Sequence, residues 1–197
     1  MILLEHGPGG MPALFAAPRR VIVAWAPGEV ARALELAEAE RARGAWVAGY
    51  VAYEAGYALE PRLRPLMPRR RPGPLVALGV FDGPEAAEAA LVRAAEEGRG
   101  TAMSEPLPLV GRRAYGNAAR KVFDYIAAGD CYQVNLTFPM AAKLVRGTPL
   151  GLFGAFRRTG AVGHGAFVDL GVGPVVVSRS PELFFRVEGG RIVTRPM

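Results

Sequence analysis

The stretch RAYGNAARKVFDYIAAGDCYQVNLTF, residues 113–138, decides the fold, because a helical repeat in it changes directly into a strand-like repeat. The apolar face of the predicted helix consists of Tyr115, Ala118, Ala119, Val122 and Ile126. Gly129 can end this helix, and polar and apolar residues then alternate from Cys131 to Phe138, as is typical of a strand. The stretch therefore predicts a chain that mixes helices with sheet.

The rest of the chain continues this mixture. Apolar periodicity predicts helices at 28–44, 84–98 and 150–158, and strands at 2–4, 21–25, 45–53, 74–81, 165–170 and 175–178. The glycines 189 and 190 predict a closing hairpin that runs from Leu183 to Val193. Hairpin-type connections favour an α+β fold with mixed, largely antiparallel sheets and flanking helices.

The domain organisation follows from composition along the chain. Polar and proline residues throughout 99–112 predict a linker between an α+β region at 1–98 and a second region at 113–197.

Composition restricts the function classes. With 51% hydrophobic and 21% charged residues, the chain can bury a substantial core and is not a disordered segment. One cysteine excludes an internal disulfide, and two histidines leave no His/Cys zinc cluster. We expect a reducing, cytoplasmic location, because the amino terminus has no basic secretory region and no apolar run reaches membrane-spanning length.

The net charge of +6 comes almost wholly from arginine. The basic cluster PRLRPLMPRRRPGP, residues 61–74, is interrupted by prolines and has no interleaved aromatic residues. These features favour a solvated loop over a nucleic-acid site, so no nucleic-acid partner is expected.

The segment 131–138 carries the first candidate site. On a strand, Gln133 and Asn135 share one face with Cys131 and Thr137. A buried amide without a partner costs on the order of 1–3 kcal/mol. The polar face therefore indicates either a solvated edge strand or a pocket for a hydrogen-bonding ligand.

The second candidate site lies in SRSPELFF, residues 178–185. Pro181 favours an extended Ser180 and places Glu182 where a strand begins. The acid is either a solvated residue or a carboxyl beside apolar surface, an environment that suits a general acid.

The two motifs YGNAARKVFDYIAAGDCYQVNLTF (115–138) and VVSRSPELFFRVEGGRIVTRP (176–196) together resemble the chorismate-utilising enzyme family. The segment GAWVAGYVAYEAGYAL (44–59) resembles the amino-terminal part of the same enzymes, so the resemblance covers nearly the whole chain.

The resemblance implies roles for particular residues. Glu182 matches the general acid that protonates the departing 4-hydroxyl of chorismate, with Ser180, Gln133 and Asn135 at the substrate site. Gln133 lies where relatives that add water to chorismate have a lysine base. A glutamine cannot deprotonate water, so the resemblance favours the branch that uses ammonia from a glutamine amidotransferase subunit.

Within that branch, Asn135 favours the aminodeoxychorismate synthases, component I, of para-aminobenzoate and folate synthesis. The alternative is an anthranilate synthase component I. In the family, the residue after Thr194-Arg195-Pro196-Met197 distinguishes the two, being lysine in the former and alanine in the latter.

The chain is expected to be the amino-terminal portion of such an enzyme, because the hydrophobic return strand of the hairpin stops abruptly. The resemblance implies that the Mg²⁺ ligands lie beyond Met197 and that the chain is inactive alone. Its expected partners are a carboxyl-terminal portion or a second copy. A non-catalytic interaction domain that keeps half of the fold is the alternative from another class.

Overall fold

A computed structural model of the chain describes residues 1–160 and 162–195. The strands are β1 (Ile2–Leu4), β2 (Ala13–Phe15), β3 (Arg20–Ala24), β4 (Trp46–Val51), β5 (Val76–Phe81), β6 (Ala102–Met103), β7 (Leu107–Pro108), β8 (Met140–Ala141), β9 (Leu144–Arg146), β10 (His164–Val168), β11 (Val176–Ser180), β12 (Leu183–Glu188) and β13 (Arg191–Arg195). The helices are α1 (Val30–Ala42), α2 (Ala55–Leu59), α3 (Glu88–Arg99), α4 (Arg112–Ala128) and α5 (Pro149–Arg157).

Two antiparallel sheets form the centre of the molecule. A four-stranded sheet has the order β11-β10-β1-β2, and a three-stranded sheet has the order β3-β5-β4. The predicted α+β fold with largely antiparallel sheets and flanking helices is thereby confirmed.

The two sheets pack face to face between two layers of helices, an arrangement we call the sandwich. Successive side chains of β1 point to opposite faces of its sheet. Ile2 packs between the two sheets with Phe15 and Phe81, whereas Leu3 packs on the other face with Phe153 of α5. On the outer face of the three-stranded sheet, side chains of α1 and α2 cover β3 and β5. Period-two alternation of apolar residues thus supplies a separate core to each face of both sheets.

Helices α3 and α5 pack closely because small residues line their contact. A Cβ on Gly98 would lie 2.7 Å from the backbone nitrogen of Ala155, and a Cβ on Gly154 would overlap the carbonyl of Ala94. The hydroxyl of Thr148 begins α5 by accepting a hydrogen bond from the Gly151 amide at 2.9 Å.

Residues 102–146 leave the sandwich as a separate structure, which we call the arm. Strands β6 and β7 pair with β9 and β8 to form a two-stranded ribbon, and α4 and the segment 131–139 lie at its far end. None of the residues 101–149 is buried. The arm therefore adds almost nothing to the core of the sandwich.

The hairpin β12–β13 closes with Gly189 and Gly190, both at positive φ, as their turn position predicts. Its register places Leu183 opposite Arg195 and Arg186 opposite Val193. Two residues of β12, Phe184 and Phe185, therefore oppose the single residue Thr194, which defines a β-bulge. The bulge puts both phenylalanines on one face and Leu183, Arg186 and Arg195 on the other.

The strand predicted at 131–138 was wrong. These residues have no regular structure, because the sequence alternates as a strand does but no neighbouring strand offers its backbone a partner. The helix predicted at 84–98 begins at Glu88 instead, because the backbone of Glu85 exchanges hydrogen bonds with Leu14.

The predicted linker and domain boundaries stay a prediction, but two observations bear on them. The residues 99–112 contain β6 and β7, and the four-stranded sheet takes strands from both sides of that segment. Pro196 and Met197, the end of the Thr194-Arg195-Pro196-Met197 motif, lie outside the described residues.

Candidate functional site

The turn at Ser180-Pro181-Glu182 joins β11 to β12 and holds the strongest catalytic candidate. The Ser180 hydroxyl accepts a hydrogen bond from the Glu182 amide and donates one to the Glu182 carbonyl, both at 3.1 Å. Such a contact fixes the backbone of a short turn. Ser180 and Glu182 are both half-buried, so the structure brings these two predicted site residues together.

A half-buried ion cluster anchors the strand that leads into this turn. The Glu5 carboxylate accepts a hydrogen bond from Arg157 at 2.6 Å and another from Arg179 at 2.9 Å. The side chains of Glu5 and Arg179 are only 12% and 15% exposed. A Cβ on Gly165 would overlap the carboxylate, so glycine at that position makes room for it.

Sequence reasoning missed this cluster, because Glu5 is separated from Arg157 and Arg179 by more than 150 residues. The only local signal was a single acid directly after an apolar strand. The cluster links β1, α5 and β11 and so holds Arg179, the neighbour of Ser180, in one position.

Gln133 and Asn135 lie away from the turn, in the irregular segment at the end of the arm. Both residues are exposed. Water can satisfy both exposed amides, so neither side chain needs a hydrogen-bonding partner within the protein. Within the described residues, no hydrogen bond links either amide to Ser180 or Glu182.

The described residues show neither a clustered set of metal ligands nor a membrane-spanning helix. That part of the chain holds no group of three or more His, Cys, Asp or Glu side chains able to bind a metal ion. It likewise has no helix whose length and apolar character would let it cross a bilayer.

The class of protein follows from comparison with known sequences. The profile of the chorismate binding enzyme family matches residues 4–197. The chain therefore belongs to the chorismate binding enzyme family, as its two sequence motifs indicate.

Individual relatives in two branches of the family resemble the chain. Anthranilate synthase component 1 of Thermus thermophilus is 41% identical over 86 residues, which are 44% of this chain and 18% of that protein. Aminodeoxychorismate synthase component 1 of Klebsiella aerogenes is 38% identical over 88 residues, which are 45% of this chain and 19% of that protein. The matched stretches thus span less than a fifth of either relative. No solved structure matches the chain.

Proposed function

We propose that the chain is part of an aminodeoxychorismate synthase component I, which replaces the 4-hydroxyl of chorismate with an amino group. The observation that carries the proposal is the family match over residues 4–197 together with the fixed turn at Ser180-Pro181-Glu182. The resemblance of the motifs indicates which reaction is catalysed. The turn holds the Glu182 carboxyl at one place on the sandwich.

Glu182 acts in this proposal as the general acid. A hydroxyl leaves as water far more readily than as hydroxide, so a carboxyl that donates a proton to the 4-oxygen lowers the barrier. The side chain is half-buried, and the two hydrogen bonds of the Ser180 hydroxyl fix its backbone. Ser180 serves as a positioning residue that orients this acid.

Gln133 and Asn135 are proposed to bind substrate once the arm is covered. An amide can both donate and accept hydrogen bonds but cannot deprotonate water. That property supports attack by ammonia rather than by water. A glutamine amidotransferase subunit is the proposed source of the ammonia.

Further polypeptide is proposed to cover the arm and the hairpin and to complete the substrate site. Phe123 of α4 is 70% exposed, Tyr132 is 93% exposed and Phe184 of β12 is 83% exposed. Exposed apolar surfaces of this extent mark places where another surface docks. We propose that this polypeptide is the rest of the family's fold, since the matched stretches span less than a fifth of the relatives.

Magnesium is part of the proposed complete enzyme, but the described residues do not fit it. Its ligands are proposed to lie on the further polypeptide.

Anthranilate synthase component I is the second candidate function. The relative from Thermus thermophilus bears that name and is 41% identical over the matched stretch. The same acid and the same ammonia source serve both reactions, which differ in the ring carbon that is aminated.

Deletion of the gene from its host distinguishes the candidates. A deletion strain that requires para-aminobenzoate for growth supports aminodeoxychorismate synthase, and one that requires tryptophan supports anthranilate synthase. A strain that grows without either compound contradicts both and favours a non-catalytic interaction domain.

Rescue of the deletion strain then tests Glu182. The Glu182→Gln variant keeps the size of the side chain but has no acidic proton to transfer to the 4-oxygen, so it should fail to restore growth. Glu188→Gln is the matched control, because it removes an exposed carboxylate from the other end of β12. Equal rescue by the two variants would refute the role of Glu182.

The isolated chain provides a simpler assay. Residues 1–197 mixed with chorismate, Mg²⁺ and ammonium should form no aminodeoxychorismate, because half of the proposed substrate site lies on an uncovered arm. Detection of the product by chromatography would show that no further polypeptide is needed.

A further inference from the structure

The three-stranded sheet of the sandwich ends at β3, and a groove of about 530 Å³ runs along this edge. Within the described residues, β3 pairs with β5 on one side and with no strand on the other. The lining consists of residues 20–23 of β3, of Gly28 and Glu29 in the following turn, and of Arg32, Ala33 and Leu36 in α1. One wall of the groove is therefore a strand edge, and the other is a helix.

The backbone of β3 directs hydrogen-bonding groups into this groove. The Ala24 carbonyl accepts a hydrogen bond from the amide of Leu75, directly before β5, at 2.7 Å, so it points toward β5. Backbone groups of successive strand residues point to opposite sides of a strand. The amide and carbonyl of Val23 therefore point away from β5, and those of Val21 do the same. In the described part of the chain, no other segment bonds to these four groups.

The spacing of these groups selects an extended chain as the occupant. Val21 and Val23 lie two residues apart, so their amides and carbonyls repeat about every 7 Å along the edge. An extended backbone presents its own donors and acceptors at the same repeat, whereas a helix uses them internally. Both valines are half-buried, so a strand laid along the edge would pair groups that water reaches only in part.

The side chains of β3 determine which residues such a strand needs. Ile22 and Ala24 belong to the core beneath α1, and Arg20 donates a hydrogen bond to Glu40 of α1 at 3.2 Å, so all three face that helix. A residue directly across from one of them shares its face. Because Leu36 of α1 also lines the groove, an apolar residue fits across from Ile22.

The charges at the start of β3 favour an acidic residue across from Arg20. Arg20 and Arg43 contact the same oxygen of Glu40, at 3.2 and 3.5 Å. One carboxylate thus serves two guanidinium groups and leaves one positive charge unmatched. Glu29 lies at the other end of the groove, where its carboxylate accepts hydrogen bonds from two backbone amides at 2.8 and 2.9 Å.

We propose that the groove binds an extended segment of a partner protein, which adds a fourth strand to the three-stranded sheet. The segment runs antiparallel to β3, the more stable arrangement, with an apolar residue across from Ile22 and an acidic residue across from Arg20. Hydrogen bonds to the backbone of Val21 and Val23 supply the affinity, and the two side chains supply the specificity.

Other occupants fit this edge less well. A second copy joined edge to edge would bring a second α1 to the groove, since α1 lies beside β3 in each copy. The further polypeptide proposed above covers the arm and the hairpin, and the arm leaves the sandwich from the opposite layer, between α3 and α5. The groove therefore does not depend on the chemistry proposed for Glu182.

Peptide titration followed by NMR tests the proposal. The probe is acetyl-Thr-Thr-Val-Thr-Glu-amide, whose valine lies across from Ile22 and whose glutamate lies across from Arg20. Added to the purified, isotope-labelled chain, the probe should shift the amide resonances of Val21 and Val23 saturably. The concentration dependence of these shifts gives the dissociation constant.

Methylated probes then test the hydrogen bonds without any change in the protein. A methyl group on the amide nitrogen of the fourth peptide residue, which faces Val21, should raise the dissociation constant about tenfold because a hydrogen bond is lost. A methyl group on the amide nitrogen of the third peptide residue is the matched control. That nitrogen points away from β3, so the constant should change less than about twofold.

Substitution of Arg20 tests the position of the glutamate. Arg20→Gln should raise the dissociation constant of the probe about threefold, as expected for the loss of a cross-strand charge pair. Arg41→Gln is the matched control, because it removes the same charge from α1 outside the groove lining and should leave the constant nearly unchanged. A probe with glutamine in place of glutamate should bind equally well to the protein with and without Arg20→Gln.

Four results would overturn the proposal. The first is the absence of a saturable shift at Val21 and Val23. The second is equal weakening by the two methyl groups. The third is an equal effect of Arg20→Gln and Arg41→Gln, which would indicate attraction by net charge alone. The fourth is protection of the Val21 amide from hydrogen exchange that rises with the concentration of the free chain, which would show that a second copy occupies the edge.

Discussion

The sandwich and the arm contain the same kinds of apolar side chain and place them oppositely. Phe81 and Phe153 in the sandwich are 2% and 0% exposed, whereas Phe123 in the arm is 70% exposed. The difference shows that apolar periodicity alone does not create a core. An amphipathic helix such as α4 also needs a facing surface, and the arm covers its apolar face only in part, for example where Tyr115 meets Phe138.

The hairpin β12–β13 lies between these two extremes. One face is directed toward the sandwich, and the other exposes Phe184, Phe185, Val187 and Ile192. The hairpin is thus anchored on one side and uncovered on the other. We expect substitutions in the sandwich to act on stability, and substitutions on uncovered surfaces to act mainly on association.

The largest effect is expected for Phe81→Ala. Phe81 fills the space between the two sheets, with its ring centroid 5.2 Å from that of Phe15. Removing the ring should lower the free energy of unfolding by about 3–5 kcal/mol, measured by denaturant titration. Phe123→Ala is the control in the arm and should change it by less than about 0.5 kcal/mol. Similar losses in both variants would show that α4 has a core of its own.

The second prediction concerns the half-buried ion cluster of Glu5, Arg157 and Arg179. Glu5→Gln removes the only carboxylate that faces Arg157 and Arg179 among the described contacts, so the free energy of unfolding should fall by about 3 kcal/mol. Glu188→Gln breaks the exposed pair with Arg186 and should lower it by less than about 1 kcal/mol. If Glu5→Gln changes thermal unfolding only slightly, water solvates both guanidinium groups well enough to replace the lost carboxylate.

Glycine substitutions compare the helices of the two regions. Gly154→Ala in α5 would place a methyl group on the Ala94 carbonyl and should destabilise the chain by about 1–3 kcal/mol. Gly116→Ala in α4 meets its nearest atom at 4.0 Å and should stabilise the arm helix by about 0.5–1 kcal/mol. Circular dichroism during denaturation measures both changes, and opposite signs are the expected result.

The smallest effect is a pH dependence where the arm joins the sandwich. Hydrogen bonds from the Thr148 hydroxyl and the Arg93 guanidinium lower the pKa of Glu97 below its usual value of 4.5. The folded state therefore binds this proton less readily than the unfolded state does. The resulting stability is present above pH 4.5 and is lost as the pH falls through the lower, folded-state pKa.

Glu97→Gln should accordingly flatten the decline of unfolding free energy in acid, measured from about pH 6 to about pH 3. Arg93→Gln removes one of the two causes and should flatten it only partly. An unchanged decline in both variants would show that other groups control the acid stability.

The sequence predicted those elements whose signals are local. Short runs of apolar, β-branched and aromatic residues located β1, β3, β4 and β5, and the two glycines located the turn of the last hairpin. Pro181 likewise predicted that a strand begins at Glu182, and β12 begins at Leu183. The roles of Ser180 and Glu182 stay a prediction from the family resemblance.

The failures share a physical cause in contacts between distant segments. The segment 131–138 alternates as a strand does, but no second strand pairs with it. The Glu5 cluster joins residues from opposite ends of the chain, and the β-bulge depends on how β12 meets β13. The sequence around one residue of such a contact does not indicate which distant residue it meets.

The base of the arm has a consequence for protein engineering. Ala102 and Arg146 are paired across the ribbon, so the arm leaves and re-enters the sandwich at one point. The entropic cost of closing a loop rises only with the logarithm of the loop's length. The arm therefore lowers the folding stability of the sandwich little more than a short turn would. The same two residues therefore mark a graft point, where a tight turn or an unrelated domain can replace the arm without a change in the path of α3 or α5.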